Sequence, residues 1–219
     1  MKMNLNYIEE MNKVLSEYDN PKILLQACCA PCSSFCMLSL RRVARIKVFF
    51  YNPNITDGGE YEYRYSELKR LIDIYNSDGN ILLPPECIQT KSSKEYDNPI
   101  ELMEAEYEPS LFLDAVRGYE DCPERGERCS ICFDLRLRET AIRAKEEGFD
   151  MFATTLTLSP LKNADAINSI GKKIADEVDI KYLPTDFKKK NGYKQSIILS
   201  EKYGLYRQNY CGCVYSVNK

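Results

Sequence analysis

Not one histidine occurs among the 219 residues of this chain. That excludes zinc sites built on imidazole, the Ser-His-Asp triad and the Cys-His nucleophile pair. A bound metal must sit on thiolates with help from carboxylates, and a proton donor must be a thiol, a phenol, a carboxyl group or water. Tryptophan is absent as well, against sixteen tyrosines, so phenols supply what proton donors and stacking faces the aromatics offer. No apolar run approaches a membrane span, and Met1 to Asn20 is polar and amphipathic, without the apolar centre of a signal peptide. A cytoplasmic protein is expected. Charge of one sign is also scarce: the net charge is −3, so any contact with a polyanion needs a local basic patch.

Cysteine is abundant, with ten residues. In a cytoplasmic chain their clustering points to metal or redox chemistry rather than a disulfide scaffold. The first cluster, Cys28-Cys29-Ala30-Pro31-Cys32, follows the apolar stretch Ile23-Leu24-Leu25 and precedes Ser33 to Leu40, which reads as the opening of a helix. Three thiols therefore occupy a strand-to-helix turn, where an α/β sheet binds its ligands and where the helix N-terminus favours thiolate over thiol. The second is Cys129-x-x-Cys132 at the start of a long helix, two sulfurs on one turn within reach of one metal or cluster. The third is Tyr210-Cys211-Gly212-Cys213 near the C-terminus. A bridge across C-x-C is strained and easily reduced, which suits a redox pair or two ligands to one iron. A four-thiolate site drawn from Cys28, Cys29, Cys129 and Cys132 suits zinc or an iron–sulfur cluster. Cys36, Cys87 and Cys122 read as packing residues, with Cys32 unassigned.

Between these clusters strands and helices alternate. A lead-in helix covers Asn4 to Tyr18, ended by Pro21. Strands are expected at Lys22–Ala27, Ile46–Tyr51, Ile81–Leu83, Asp150–Leu156 and Ile180–Leu183. Helices are expected from the cysteine turn to about Arg45, and over Glu60–Asn76, Asn98–Tyr107, Ser110–Arg117, Cys129–Glu147, Ala164–Asp179 and Lys190–Tyr203. The alternation predicts a single α/β domain over 1–219 with a doubly wound, mostly parallel sheet, the cysteine loops at one end of it. The turn after strand one holds no Gly-rich Ser-Gly-Gly loop, which disfavours ATP use.

Taken together, Cys28-Cys29-Ala30-Pro31-Cys32, Arg128-Cys129-x-x-Cys132, Thr154-Thr155-Leu156 with Ser159-Pro160-x-Lys162, Asp186-Phe187-Lys188-Lys189 and Tyr206-Arg207-Gln208-x-Tyr210-Cys211-Gly212-Cys213 resemble the cobalamin-independent epoxyqueuosine reductase family, from about Lys22 to Ser216. The resemblance implies a fold like the adenine-nucleotide α-hydrolases, a [4Fe-4S] cluster and the last step of queuosine formation in tRNA. By motif, the cluster ligands fall on Cys28, Cys29, Cys129 and Cys132. Cys211 and Cys213 become the redox-active thiols, with an additional iron beside the cluster. Asp186 is the candidate carboxylate for that iron, with Asp114 and Asp134 as alternatives. Where many relatives carry His-Pro after Asn-Pro-Asn-Ile, this chain has Thr56-Asp57.

Converting an epoxide to an alkene takes two electrons and two protons and releases water. A thiol pair stores two electrons as a disulfide, and an iron with an open position acts as a Lewis acid on the epoxide oxygen. Tyr210, beside the thiols, is a proton-donor candidate alongside Cys211 and Cys213. An external electron donor is required and is not named by the sequence. For tRNA phosphates the basic candidates are Arg41, Arg42 and Arg45, Arg136 and Arg138, and Lys188, Lys189, Lys190 and Lys194. Tyr206 and Arg207 are candidates for stacking on a splayed base. Taken singly, each basic cluster reads first as a solvated face, and the Lys188 run gains weight for phosphate binding because it follows Asp186 directly. A zinc-thiolate RNA-binding protein without redox activity is the competing reading.

Overall fold

A computed structural model of the chain describes residues 6–78 and 96–216. Five strands form one all-parallel sheet in the order β3-β2-β1-β4-β5: β1 Lys22–Gln26, β2 Arg45–Phe49, β3 Glu101–Met103, β4 Met151–Thr154 and β5 Lys181–Tyr182. Both faces are covered, and each strand shows why. Ile23 and Leu25 of β1, Ile46 and Val48 of β2, and Met151 and Ala153 of β4 point into one apolar layer. Leu24, Phe49 and Phe152 point into the other. The period of two thus feeds two cores, as a sheet buried on both sides requires.

The first core is closed by α1 Tyr7–Ser16, α2 Ala30–Arg41, α3 Gly58–Ser77 and α7 Gly192–Lys202, and the second by α5 Glu127–Glu146 and α6 Ala164–Val178. A short α4, Pro109–Ala115, packs on α5. The doubly wound parallel sheet anticipated from the alternation is the fold observed. Among the described residues, no helix is long and apolar enough to cross a membrane.

One helix is corrected. Asn98–Tyr107 is extended, and its centre is β3, which pairs in parallel with Lys47–Phe49 of β2. Asn98 does not cap a helix; its Nδ2 donates to the carbonyls of Arg41 at 2.9 Å and Ala44 at 3.0 Å, tying the segment to the end of α2. Pro99 suits an extended start as well as a helical one, and the free edge of β2 supplies the hydrogen bonds that decide between them. The strand expected at Ile81–Leu83 lies outside the described residues. Two boundaries also move. α2 ends at Arg41 because Arg45 already belongs to β2. β4 stops at Thr154, whose Oγ1 accepts from the Leu156 N–H at 3.1 Å and turns the chain into a single 3₁₀ turn over Thr155–Leu158.

Chain order reverses across the sheet at β1: β2 lies on one side of it and β4 on the other. The crevice at the carboxyl ends of β1 and β4 is the switch point at which open α/β sheets take ligands.

Candidate active site

The first cysteine turn leaves β1 at that switch point. The Ala27 N–H donates to the Phe49 carbonyl at 3.0 Å, and the Ala27 carbonyl accepts from Asn52 Nδ2 at 2.8 Å and Gln26 Nε2 at 3.1 Å. Cys29 then takes the extended conformation of a helix N-cap, and Ser33 Oγ bonds back to its carbonyl at 2.8 Å. This fixes the three sulfurs of Cys28, Cys29 and Cys32 within 4.8 Å of one another, with Cys28 and Cys29 at 3.8 Å. The trio can bind a metal. Its protons are shared. Hydrogen bonds from Cys29 and Cys32 hold Cys28 well below the usual thiol range, helped by Lys162 and Arg136 against the cost of burial. The bond to Cys28 in turn pushes Cys29 up to about 12 and Cys32 higher still than an ordinary thiol.

Cys129 and Cys132 stand on the first two turns of α5. The Cys129 sulfur accepts the Arg125 N–H at 3.2 Å. Burial raises both thiols, Cys132 to about 11, opposed there by Arg136. The turn itself is anchored by Arg128, buried, whose Nη1 donates to the carbonyls of Tyr119 at 3.1 Å and Glu120 at 2.7 Å.

The C-x-C segment is pinned to the β2–α3 connection. Asn54 Nδ2 and Arg64 Nη1 both donate to the Cys211 carbonyl, at 3.3 and 3.2 Å, and Arg64 Nη2 reaches the Tyr210 carbonyl at 3.3 Å. The Thr56 N–H donates to the Gly212 carbonyl at 3.1 Å, and Asp57 caps α3 through the Glu60 N–H at 2.7 Å. Thr56 thus holds the turn and Asp57 starts the helix. Hydrogen bonds from Cys213 lower Cys211 to about 5, with the Ser216 hydroxyl at 3.2 Å adding to the effect; the same bond raises Cys213. Both thiols are free.

These three segments meet. A cavity of about 300 Å³ is lined by Cys28 and Cys32, by Cys129 and Cys132, and by Cys211 and Cys213. That volume is at the lower end for a small-molecule site. Its wall also holds Tyr210, Ser159, Lys162, Arg136, Arg207 and Gln208. Tyr210 lies with its ring 5.2 Å from the Arg64 guanidinium, its phenol pKa raised by burial and by Glu60.

Other sequence candidates sit elsewhere. Asp186 is paired with Lys188 at 2.9 Å and is not among the lining residues. Asp114 pairs with Arg117 at 2.6 Å and Asp134 with Arg138 at 3.0 Å. Thr154 is buried and donates to Gln26 Oε1 at 2.9 Å; it and Thr155 are not lining residues. Arg41 is buried and held by the Tyr75 carbonyl and Asp97, so it braces α2 rather than facing solvent. Arg45 Nε donates to the Asn20 carbonyl, and Arg138 also pairs with Glu177. Lys190 and Lys194 are exposed. Tyr206 packs against Tyr63 at 4.7 Å and donates to Glu60, while Arg207 alone of that pair lines the cavity. Cys36 is buried, with its sulfur on the Cys32 carbonyl; Cys122 is half-buried; Cys87 lies outside the described residues. Sequence reasoning missed Arg64, Asn52 and Asn54. The signal for the two asparagines was Asn52-Pro53-Asn54 itself, read only as the end of a strand.

Comparison with known proteins agrees with this assembly. The family model described as "Epoxyqueuosine reductase QueH" matches residues 23–219. A protein of that name from Streptococcus pyogenes serotype M1 is 40% identical over 216 residues, 97% of this chain and 78% of the relative. One from Staphylococcus epidermidis is 38% identical over 221 residues, 98% of this chain and 86% of the relative. A more distant one from Thermotoga maritima is 32% identical over 195 residues, 89% of this chain and 90% of the relative. With its sulfur-lined switch point and a match over nearly its whole length, this chain belongs to the epoxyqueuosine reductase QueH family.

Proposed function

We propose that the chain, acting as one α/β domain, reduces epoxyqueuosine to queuosine in tRNA, with a [4Fe-4S] cluster held by Cys28, Cys29, Cys129 and Cys132 and with Cys211 and Cys213 as the redox-active thiols. The observation that carries this reading is the shared cavity: three thiol groups far apart in sequence line one pocket at the switch point. The donor set fits the cofactor. The lining thiols face a site without imidazole and with cationic side chains in its wall, Arg136 and Lys162 among them, which suits a thiolate-bound group of net negative charge. Cys32 shares the first trio, so single substitutions decide which of the three sulfurs ligate. When bound, the cluster supplies one-electron transfer and an additional iron supplies Lewis acidity toward the epoxide oxygen.

The residues of the chain do the rest. Cys211, lowered to about 5, is the thiolate of the pair, and Cys213 keeps its proton. Their oxidation to a disulfide releases the two electrons and, with the proton of Cys213 and one from water or Tyr210, balances loss of the oxygen as water. Arg64 and Asn54 fix the backbone of that pair. Asp186 joins an additional iron only by giving up its ion pair with Lys188. Arg207, at the cavity wall, is placed to meet the nucleotide. The electron donor that resets the disulfide is a separate protein or small reductant.

The test is anaerobic purification with iron, sulfide and zinc analysis, followed by reaction with an anticodon stem-loop carrying epoxyqueuosine. The expected result is iron and sulfide in the protein and queuosine in the product, with the cluster lost in Cys129→Ser. Zinc without sulfide would overturn the cofactor, and iron and sulfide without queuosine would overturn the substrate.

A further inference from the structure

Arg136 and Lys162 line the sulfur cavity, and neither has a carboxylate partner among the described residues. Arg136 is 2% exposed. Its Nη2 donates to Asn52 Oδ1 at 2.6 Å, and its Nε is buried with no acceptor. Asn52 is itself locked, through Nδ2 on the Ala27 carbonyl at 2.8 Å and Oδ1 near Gln26 Nε2 at 3.4 Å, so the guanidinium cannot swing away. Lys162 lines the same cavity from the loop before α6. Glu124, the one carboxylate among the lining residues, is exposed and makes no ion pair with either. Arg136, buried, and Lys162, half-buried, repel each other and lose hydration, an arrangement that negative charge facing them would stabilise. In this cavity the negative charge can come only from sulfur and whatever the sulfurs hold.

We propose that Arg136 and Lys162 are positioning residues that flank the thiolate-bound centre and raise its reduction potential, easing transfer of an electron into it. The inference rests on the cluster reading above. Adding an electron adds negative charge, so a fixed cation favours the reduced state, and an N–H directed at sulfur does the same. The charge of Arg136 acts on Cys28 and Cys132, and that of Lys162 on Cys28, Cys32 and Cys211, all of which line the cavity with them. In a chain without histidine, such fixed cations tune the centre by charge alone.

The test uses the full chain, reconstituted anaerobically, with midpoint potential read by dye-mediated titration of the visible absorbance. Lys162→Met, at the partly exposed lip of the cavity, should lower the equilibrium constant for one-electron reduction about tenfold, a shift of about 59 mV to more negative potential. Lys162→Arg should restore it. Arg136→Gln should shift it the same way, and Lys69→Gln, an exposed charge on α3, should leave it unchanged. Iron and sulfide bound at wild-type levels with an unmoved potential in Lys162→Met would overturn the inference while the cluster reading stands. An unmoved potential with weaker stem-loop binding would assign the cations to a substrate phosphate instead, and overturns it equally. Wild-type protein without iron and sulfide removes the cluster reading, and the inference with it.

Discussion

Replacing Gly212 by alanine tests how tightly the redox pair is held. Gly212 sits at φ +95°, a region that an L side chain rarely adopts, and a Cβ there would stand 2.8 Å from Ile55 Cγ1 and 3.3 Å from Ile55 Cα. Ile55 is fully buried and cannot retreat. The backbone conformation costs about 1–3 kcal/mol for a residue with a side chain, and overpacking a closed site costs about 1–3 kcal/mol more. The lower ends alone sum to about 2 kcal/mol, roughly thirtyfold in the population of the native turn. The turn lies outside the five strands, so it can open without unfolding the sheet. Gly212→Ala should therefore cut queuosine formation by about thirtyfold or more and leave the main thermal transition nearly in place. The double variant Ile55→Ala with Gly212→Ala should recover the steric part of the loss but not the backbone part. Activity of Gly212→Ala within twofold of wild type, under conditions where chemistry limits the rate, would show that the turn is not held as described.

Three further outcomes follow from the geometry. Arg64→Leu breaks the buried ion pair with Glu60 and leaves the Tyr210 carbonyl without its Arg64 donor and the Cys211 carbonyl with Asn54 alone; chemical denaturation should show a loss of about 3–5 kcal/mol, and a loss below about 1 kcal/mol would mean that the guanidinium is not truly buried. Gly171→Ala drives a Cβ to 2.5 Å from the Tyr182 ring, which Asn168 holds by its hydroxyl at 3.0 Å, so stability should fall by about 1–3 kcal/mol with the sulfur cavity untouched. In metal-free protein, alkylation of Cys211 should be constant near neutral pH and fall as the pH drops through about 5, where the thiolate takes up its proton. A rate still climbing through pH 8, followed by mass spectrometry, would remove the hydrogen bond from Cys213 as its cause.

The local architecture was legible in the order of residues. Pro21 marked the end of the lead-in helix, the apolar run Ile23-Leu24-Leu25 and the β-branched and aromatic run Ile46–Tyr51 marked strands, and helical spacing marked helices, because these preferences act over a few neighbouring residues. Cys28, Cys129 and Cys211 were recognisable as chemistry because the thiols cluster and imidazole is missing. Tertiary structure alone decided what those thiols face. Glu101–Met103 became a strand because the edge of β2 offered it hydrogen bonds, a partner far away in the sequence at Lys47–Phe49. Asn52 and Asn54 read as loop residues until the sheet brought Arg136 to one and the Cys211 carbonyl to the other. Asp186, adjacent in sequence to a basic run, turned to Lys188 rather than to the cavity. A sequence lists which groups can carry charge or protons. Only the fold sets the distances between them, and electrostatic and hydrogen-bond energies depend on those distances.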